Sequence, residues 1–526
     1  MTVESFAKEA AGYLHAEDIV QKSEDLEKYT RNLSGYKRDV PLVVRPRGPD
    51  EVQKIVASAN THGVALYPFS QGKNWGLGSK LPVVDGCILV DLRQMNQILD
   101  VNTTFGYAVV QPGVTQKQLS DHLRQMGAPF YMDVTGSGQD TSVIGNTTER
   151  GVAYNSLRAD KLLGLEVVLG NGEVLKTGFG HYPNSKVAAL CKYGTGPALD
   201  QVFPQSNYGI VVQATVELLP VPEYQSTFLL NIRDEADLAP TVDALRKLTQ
   251  AGVLESVVHI GNRRRSEVTM TPLMYRYFAD KGEPISREEA DRLVQAELKG
   301  PWSALGNLSG PKSHVKHAQR RLKAAVGKYG QIRFVTAALV DFAIKATGIV
   351  GPKSINSFLN ASKALLDLPR GLPTNAALHS TYWPVASDSP TPTEPDETDG
   401  GMLFAAPIVP QDGASVMEAI RATDAVGDRH GFKMAVTLNM MYDKSLEGVV
   451  SIDFDRRDAD QCAKAKACMK DLNQTYLDLS FNPYRIDIES MPIIIDPEDT
   501  FWQTIRDLKQ VFDPNNVISP KRFNLI

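Results

Sequence analysis

The chain has 526 residues, enough for two or three domains with substantial cores. Its net charge of −5 argues against nucleic acid as the main partner, and its four scattered cysteines cannot form a disulfide framework. It lacks a signal-like N-terminal segment, an apolar run of transmembrane length and zinc-type Cys/His spacing, so we expect a cytoplasmic protein without a metal site.

Strand and helix signals alternate through the first 222 residues. Residues 51–60 have helical periodicity, with Asp50 as the expected N-cap and Gly63 as the expected stop. A second helix is expected over 115–123, and strands over 88–91 and 107–110. Asn171-Gly172 favours a tight hairpin turn between 167 and 175. The pattern is typical of a domain built from βαβ-like units.

A glycine-rich loop over residues 68–78 (Pro-Phe-Ser-Gln-Gly-Lys-Asn-Trp-Gly-Leu-Gly) is the most informative local feature. It follows an apolar strand-like run and contains Gly72, Gly76 and Gly78. Without a Cβ, glycines let main-chain N–H groups close on an anion. The loop is neither a P-loop nor a strict Rossmann fingerprint, so its meaning depends on the motifs that accompany it.

Five further motifs follow the loop in a fixed order. They are Gln-Pro-Gly-Val-Thr at 111–115, Val-Ile-Gly-Asn-Thr-Thr-Glu-Arg-Gly at 143–151, Leu-Glu-Val-Val-Leu-Gly-Asn-Gly at 165–172, Ser-Asn-Tyr-Gly-Ile at 206–210 and Asp-Pro-Asn-Asn-Val-Ile-Ser-Pro-Lys-Arg at 513–522. Together with the loop they resemble the vanillyl alcohol oxidase / p-cresol methylhydroxylase flavoproteins. The resemblance covers nearly the whole chain and is weakest between about 262 and 376.

The resemblance implies an α+β fold of two domains of the FAD-binding type. An FAD-binding domain would comprise residues 1–222 and be completed by 500–526. Residues 223–499 would form a cap domain of antiparallel sheet and helices over the reactive face of the flavin. In that region the sequence predicts helices within 242–248 and 415–422, strands within 257–260 and 402–405, and an exposed, mobile loop over 387–401.

The same resemblance assigns the cofactor-binding residues. The pyrophosphate would be held by Ser70, Gln71, Gly72, Lys73, Asn74 and Gly76. The flavin would be flanked by Gly136, Ser137, Gly145, Asn146 and Thr147, the adenine end by Tyr208, Gly209 and Ile210, and flavin N1 by the charge of Arg522.

Tyr484 and Arg485 match the pair that binds a phenolic oxygen in this family. A phenol with a pKa near 10 is mostly neutral at pH 7, so formation of its anion requires a stabilising charge nearby. A guanidinium group can supply that charge because it is always protonated. The ionised ring pushes electrons toward its para substituent, from which a hydride can then leave. The resemblance therefore predicts that Tyr484, Arg485 and Arg522 take part in catalysis.

Three positions depart from the family pattern. Leu77 replaces a second phenolate-binding tyrosine, and the segment containing Gly136 lacks the acid of the oxidase branch. Met402 stands where that branch links its flavin through histidine. Tyr382 or His379 could provide another covalent link, but we favour non-covalent FAD. Leu77, Met402 and Tyr382 are expected to line the substrate pocket.

The predicted function is FAD-dependent oxidation of a benzylic or allylic carbon, with O₂ or an acceptor protein reoxidising the flavin. Two alternatives stay open: a redox-neutral lyase or transferase on the same fold, and a flavin-binding subunit without turnover. The run of three arginines at 263–265 is expected to be a solvated loop, although it could bind an acidic group. Residues 337–352 are expected to form a buried cap helix, with a homodimer contact or a membrane patch as alternatives.

Overall fold

The computed structural model describes residues 2–350, 353–385 and 394–526. In the first 220 residues the strands are β1 Ile19–Val20, β2 Val43–Val44, β3 Leu66–Phe69, β4 Ile88–Asp91, β5 Ile98–Asn102, β6 Tyr107–Val110, β7 Phe130–Tyr131, β8 Leu162–Leu169, β9 Val174–Lys176, β10 Gly209–Glu217 and β11 Leu219–Pro220. The helices here are α1 Val3–Ala10, α2 Ser23–Thr30, α3 Pro49–His62, α4 Gln116–Gln125 and α5 Val143–Thr148.

These strands form two principal sheets. One has the order β1-β2-β4-β3, in which β2, β4 and β3 run parallel, and α3 connects β2 to β3. The other has the order β5-β6-β10-β8-β9 and is antiparallel throughout. The expectation of βαβ units is therefore right for the first sheet and wrong for the second.

The predicted local signals are mostly confirmed. Thr115 caps α4 by accepting a hydrogen bond from the N–H of Gln118, and Gly172 adopts φ +87° in the β8–β9 hairpin. Gly63 ends α3 with φ +62°. The N-cap of α3 is Gly48 rather than Asp50, because Pro49 takes the first helical position and moves Asp50 into the first turn.

The remaining strands form one large sheet. They are β12 Tyr224–Ile232, β13 Val258–Asn262, β14 Trp302–Gly310, β15 Gly330–Val335, β16 Gly400–Pro410, β17 Ala435–Met440, β18 Ser445–Asp455 and β19 Pro483–Arg485. Their order is β15-β12-β14-β13-β17-β18-β16-β19, and every neighbouring pair is antiparallel. The accompanying helices are α6 Leu238–Gln250, α7 Arg263–Asp280, α8 Arg287–Glu297, α9 Lys312–Val326, α10 Ala337–Val350, α11 Lys353–Asp367, α12 Gly413–His430 and α13 Ala459–Asp478.

Helices α6, α9, α12 and α13 pack on one face of this sheet and bury the largest apolar core of the described chain. Alternation along the strands puts residues such as His259 and Phe404 on the opposite face. That face meets the first 220 residues: Asn307 of β14 donates a hydrogen bond to Asn155 at 2.8 Å. The antiparallel sheet with helices predicted for this region is confirmed.

Three expectations in this region need correction or restriction. The arginines at 263–265 begin α7 and are not a loop. Helix α10 is not buried, since Phe342 is 68% and Ile349 83% exposed. Residues 387–393 of the predicted exposed loop lie outside the described residues. Of the rest, Asp396 and Thr398 are buried, and Gly400 and Gly401 belong to β16.

The C-terminal segment returns to the first sheet after α14 (Thr500–Phe512). Ile518 forms an isolated parallel bridge with Leu66 of β3. The N–H of Leu66 donates to Val517, and the N–H of Ser519 donates to Leu66, both at 2.7 Å. Within the described ranges, no helix is long and apolar enough to cross a bilayer.

Candidate active site

A cleft of about 1060 Å³, partly open to solvent, separates the loop after β3 from α5 and the C-terminal segment. Eleven of the residues that sequence reasoning assigned to cofactor or catalysis line it. They are Ser70, Gln71, Gly72, Lys73, Asn74, Gly145, Asn146, Gly209, Ile210, Arg485 and Arg522. The structure thus brings together five separate segments of the chain.

The loop after β3 has the properties of an anion cradle. Among the described residues, the main-chain N–H groups of Gln71 to Gly76 donate to no protein acceptor. Gly72 and Gly76 hold the loop open with φ +68° and +76°, which only glycine adopts without strain. The ammonium of Lys73 pairs with Glu394 and is therefore already neutralised. The loop consequently offers backbone dipoles to a phosphate, and the FAD pyrophosphate fits this donor set.

Helix α5 forms the opposite wall and approaches the loop closely. A Cβ on Gly145 would lie 2.2 Å from Ser70 Oγ, so a larger residue would fit here only if the Ser70 hydroxyl turned away. Asn146 Oδ1 is buried and has no partner among the residues described. A buried acceptor without a partner costs free energy unless a ligand N–H donates to it. A bound flavin, which carries such an N–H group, fits this position.

Arg522 brings a positive charge into the cleft. Its guanidinium donates to Tyr67 Oη at 3.1 Å and pairs with Glu149. Burial acts to lower the pKa of Arg522, but the Glu149 carboxylate outweighs it and holds this pKa above its usual value. Arg522 therefore stays charged, as a group placed to stabilise negative charge on a cofactor must be.

Tyr484 and Arg485 differ in how they face the cleft. Arg485 lines it, and its Nη2 donates to Asn74 Oδ1 at 2.5 Å. Its Nε is buried without a partner in the described chain, and its guanidinium carbon lies 5.6 Å from the Phe404 ring centroid. Tyr484 lies behind the lining residues and donates its hydroxyl to the carbonyl of Arg150 at 2.8 Å. Burial, with the charge of Glu447, raises the pKa of Tyr484 well above its usual value.

The expected substrate-pocket residues lie next to the loop. Leu77 and Met402 share one apolar cluster with Trp75 and Phe404. A Cβ on Gly76 would come within 2.5 Å of Phe404 and 3.1 Å of Met402, so this cluster touches the cofactor loop directly.

Tyr382 lies beside Gly400, at the start of β16. Its hydroxyl is hydrogen-bonded to His379 Nδ1, and Arg276 donates to His379 Nε2 at 3.0 Å. Burial, reinforced by the charge of Arg276, lowers the pKa of His379 to about 4, and burial raises that of Tyr382. The two candidates for a covalent flavin link are therefore bonded to each other.

Five predicted cofactor residues do not line the cleft: Gly76, Gly136, Ser137, Thr147 and Tyr208. Three of them use their side chains inside the protein: Ser137 bonds Thr141, Thr147 donates to the carbonyl of Val143, and Tyr208 donates to that of Ile505. Their cofactor roles stay predictions.

Sequence reasoning missed several lining residues. They include Tyr67, Ser142, Glu149, Phe203, Gln205 and Ser519. Glu149 lies inside the 143–151 motif, but nothing in the sequence indicates its pairing with Arg522, which is 373 residues away.

Comparisons with known proteins indicate an FAD-binding protein. A family model described as an FAD binding domain matches residues 40–178. The chain is 31% identical over 500 residues to 1'-carboxy-chondrochloren decarboxylase of Chondromyces crocatus, covering 92% of this chain and 90% of that protein. It is 25% identical over 477 residues to the 4-cresol dehydrogenase (hydroxylating) flavoprotein subunit of Pseudomonas putida, covering 90% and 85%. The structure of 4-ethylphenol oxidase from Gulosibacter chungangensis, an isoeugenol complex, matches with a TM-score of 0.85 at 23% identity, covering 100% of this chain and 98% of that one.

Proposed function

Because this chain belongs to the vanillyl alcohol oxidase / p-cresol methylhydroxylase family of FAD flavoproteins, we propose that it oxidises a carbon next to an aromatic ring or a double bond. FAD, when bound in the cleft, supplies a hydride acceptor. The protein contributes the binding site, the orientation of the substrate and the charge that stabilises it.

Arg485 carries this proposal. Its guanidinium lines the cofactor cleft beside Asn74, and its buried Nε has no partner in the described chain. A buried donor without a partner costs about 1–3 kcal/mol, which a substrate oxygen anion would recover. A phenolate bound there would release electron density toward its para carbon and favour loss of a hydride from that carbon. Tyr484 is proposed to assist as an acid–base group behind Arg485.

Decarboxylation of an aromatic acid is the second candidate. It is favoured by the 31% identity with a protein named as a decarboxylase and by Leu77, a buried apolar side chain where phenol oxidases carry a tyrosine. Leu77 removes one donor to a phenolate and leaves more of the charge stabilisation to Arg485. A flavin-binding subunit without turnover is the third.

The reoxidant is proposed to be O₂ or an acceptor protein. The 4-cresol dehydrogenase relative is itself named as a flavoprotein subunit, which favours an acceptor protein. We further propose that FAD is held non-covalently, since Met402 cannot form the link that a histidine makes and Tyr382 is bonded to His379.

The test mixes the purified, FAD-loaded protein anaerobically with 4-hydroxybenzyl alcohol, 4-ethylphenol and 4-hydroxymandelate. We expect bleaching of the oxidised flavin by at least one of them. CO₂ release from 4-hydroxymandelate without bleaching would instead support redox-neutral decarboxylation. No bleaching and no CO₂ with any of the three would contradict both catalytic proposals. Acid precipitation of the same sample should leave the yellow colour in the supernatant.

A further inference from the structure

Three charged side chains meet on the face of the large sheet that is turned toward the first 220 residues. Arg264 and Arg265 come from the first turn of α7, and Asp453 comes from β18. Arg265 Nη2 donates to the carbonyl of Ala435 at 3.0 Å and to Ser451 Oγ at 2.6 Å. These two bonds fix the Arg265 side chain against the sheet.

Each of the three side chains has a buried polar atom left without a partner. In the described chain, Nε of Arg264, Nε of Arg265 and Oδ2 of Asp453 make no hydrogen bond. Buried donors and acceptors are nearly always satisfied in native proteins, so this group has the pattern of a site completed by a ligand or by ordered water.

The group carries one excess positive charge. Burial lowers the pKa of Arg265, while the nearby Asp453 opposes that shift. Burial raises the pKa of Asp453 to about 6, so near neutral pH it is mostly ionised and offsets one of the two guanidinium charges. The positive dipole end of the 18-residue helix α7 adds to the excess. A single negative charge would balance it.

Arg264, Arg265 and Asp453 are each partly buried and retain some accessible surface.

The group lies next to the apolar cluster at the cofactor loop. Asp453 pairs across strands with Met402, and Ser451 pairs with Phe404. Directly opposed residues on neighbouring strands are about 5 Å apart. Met402 and Phe404 in turn contact the loop at Gly76. Arg265, which is bonded to Ser451, is thus one strand spacing from Phe404, and the Arg485 guanidinium carbon lies 5.6 Å from the Phe404 ring centroid.

We propose that Arg264 and Arg265 form a carboxylate-binding subsite and that the substrate of this protein is an aromatic or allylic monocarboxylic acid. The inference rests on the proposed function, since it places the reacting part of the substrate between this subsite and Arg485. The acid group is held by the two guanidinium groups, and Asp453 limits the favoured charge of the ligand to one.

The test compares 4-hydroxyphenylacetate with 4-hydroxyphenylacetamide, which has nearly the same shape and no charge. Binding is measured under anaerobic conditions from the perturbation of the flavin visible spectrum, so turnover is not required. The wild type should bind the acid at least about tenfold more tightly than the amide. R265M should remove that preference, because it should weaken binding of the acid and leave binding of the amide nearly unchanged.

R263Q is the matched control. Arg263 lies one residue before Arg264 but pairs with Glu267 at the helix surface, so its loss should not alter the preference. R264M provides a second variant if R265M does not fold, because the Arg264 side chain makes no hydrogen bond to the described chain. D453N should strengthen binding of the acid, since it removes the competing carboxylate.

Equal binding of acid and amide by the wild type, no binding of the acid, or an R265M variant that loses both ligands equally would each overturn the subsite. Failure of the proposed function is recognised separately. If the acid is preferred in an Arg265-dependent way but no substrate bleaches the flavin, the subsite is supported and the oxidation is contradicted. If 4-ethylphenol bleaches the flavin but the acid is not preferred over the amide, the oxidation is supported and the subsite is contradicted.

Discussion

The hydroxyl of Tyr484 donates to the main chain at Arg150, and burial keeps its pKa well above the usual value. At neutral pH Tyr484 is therefore protonated, and it can exchange a proton with a substrate oxygen only by giving up this hydrogen bond. The adjacent Glu447 carboxylate further disfavours a tyrosinate. Tyr484 is thus better suited to donate or share a proton than to act as a permanent base.

Tyr484→Phe is expected to slow flavin reduction by ~10²-fold, the usual size of an acid–base contribution. The measurement is anaerobic stopped-flow at 450 nm with 4-hydroxybenzyl alcohol. Tyr182→Phe is the control, since Tyr182 is 51% exposed and does not line the cleft. An unchanged rate in Tyr484→Phe would refute the acid–base role.

For single residues, the sequence predicted which side chains belong to the site better than it predicted their contacts. Arg485 and the glycine-rich loop were found through motifs, and both line the cleft. The bond between Arg485 and Asn74 joins residues 411 positions apart, and no local pattern encodes it. The orientation of Tyr484 was likewise invisible, because it depends on Arg150, which adopts φ +53°.

The contact between α5 and the loop after β3 decides the width of the cofactor cleft. Gly145 packs so closely on Ser70 that a methyl group would displace the Ser70 hydroxyl or α5. Since the opposite edge of the cleft is held by Arg522 and Glu149, a shift of α5 would also disturb that ion pair.

Gly145→Ala is expected to weaken FAD binding by at least about tenfold, because the added methyl group displaces Ser70 Oγ or α5 at the cofactor cleft. The measurement is FAD titration of the apoprotein followed by flavin fluorescence. Gly48→Ala is the control, since a Cβ at Gly48 meets nothing within 4 Å. Equal affinity of Gly145→Ala and the wild type would show that the cleft does not need this close approach.

Elements with strong local chemistry were predictable and elements decided by packing were not. The Thr115 cap and the Gly172 turn satisfy their own backbone within a few residues, so the sequence shows them. The arginines at 263–265 look like a solvated surface segment, yet Asn262 caps a helix there and Arg265 turns inward to β17 and β18. The apolar sequence of α10 predicted burial, but its outer face has no covering element in the described chain.

The division of the chain into residues 1–222 with 500–526 and residues 223–499 is kept as a proposal. It is supported by the bridge between Ile518 and Leu66, which joins the C-terminal segment to the first sheet. The exposed side chains of Phe342 and Ile349 on α10 support the further proposal of a homodimer contact there.

Stability of the whole protein should fall in mild acid. Burial lowers the pKa of both His259 and His379 to about 4. Between pH 4 and about 6.5 the unfolded chain binds more protons at these histidines than the folded protein does, so stability rises with pH in this window, by up to about 1.4 kcal/mol per pH unit for each histidine. Asp453 acts in the opposite direction, because its pKa is raised to about 6.

His379→Gln isolates one of these contributions. Its melting temperature should depend less steeply on pH between 6.5 and 4 than that of the wild type, as measured by differential scanning fluorimetry. The two slopes should agree above pH 7, where His379 is neutral in both folded and unfolded chains. Parallel curves over the whole range would show that His379 is not held neutral by burial.

The return of the C-terminal segment to β3 sets an order of events during synthesis. Tyr67 and Arg522 touch, yet they are 455 residues apart. A ribosome adding about 5–20 residues per second needs roughly 20 to 90 s to span that interval. During that time the first sheet lacks one side of its cofactor cleft, because the strands of the large sheet are synthesised before the C-terminal segment. Stable loading of FAD is consequently a late step that follows translation of residue 522.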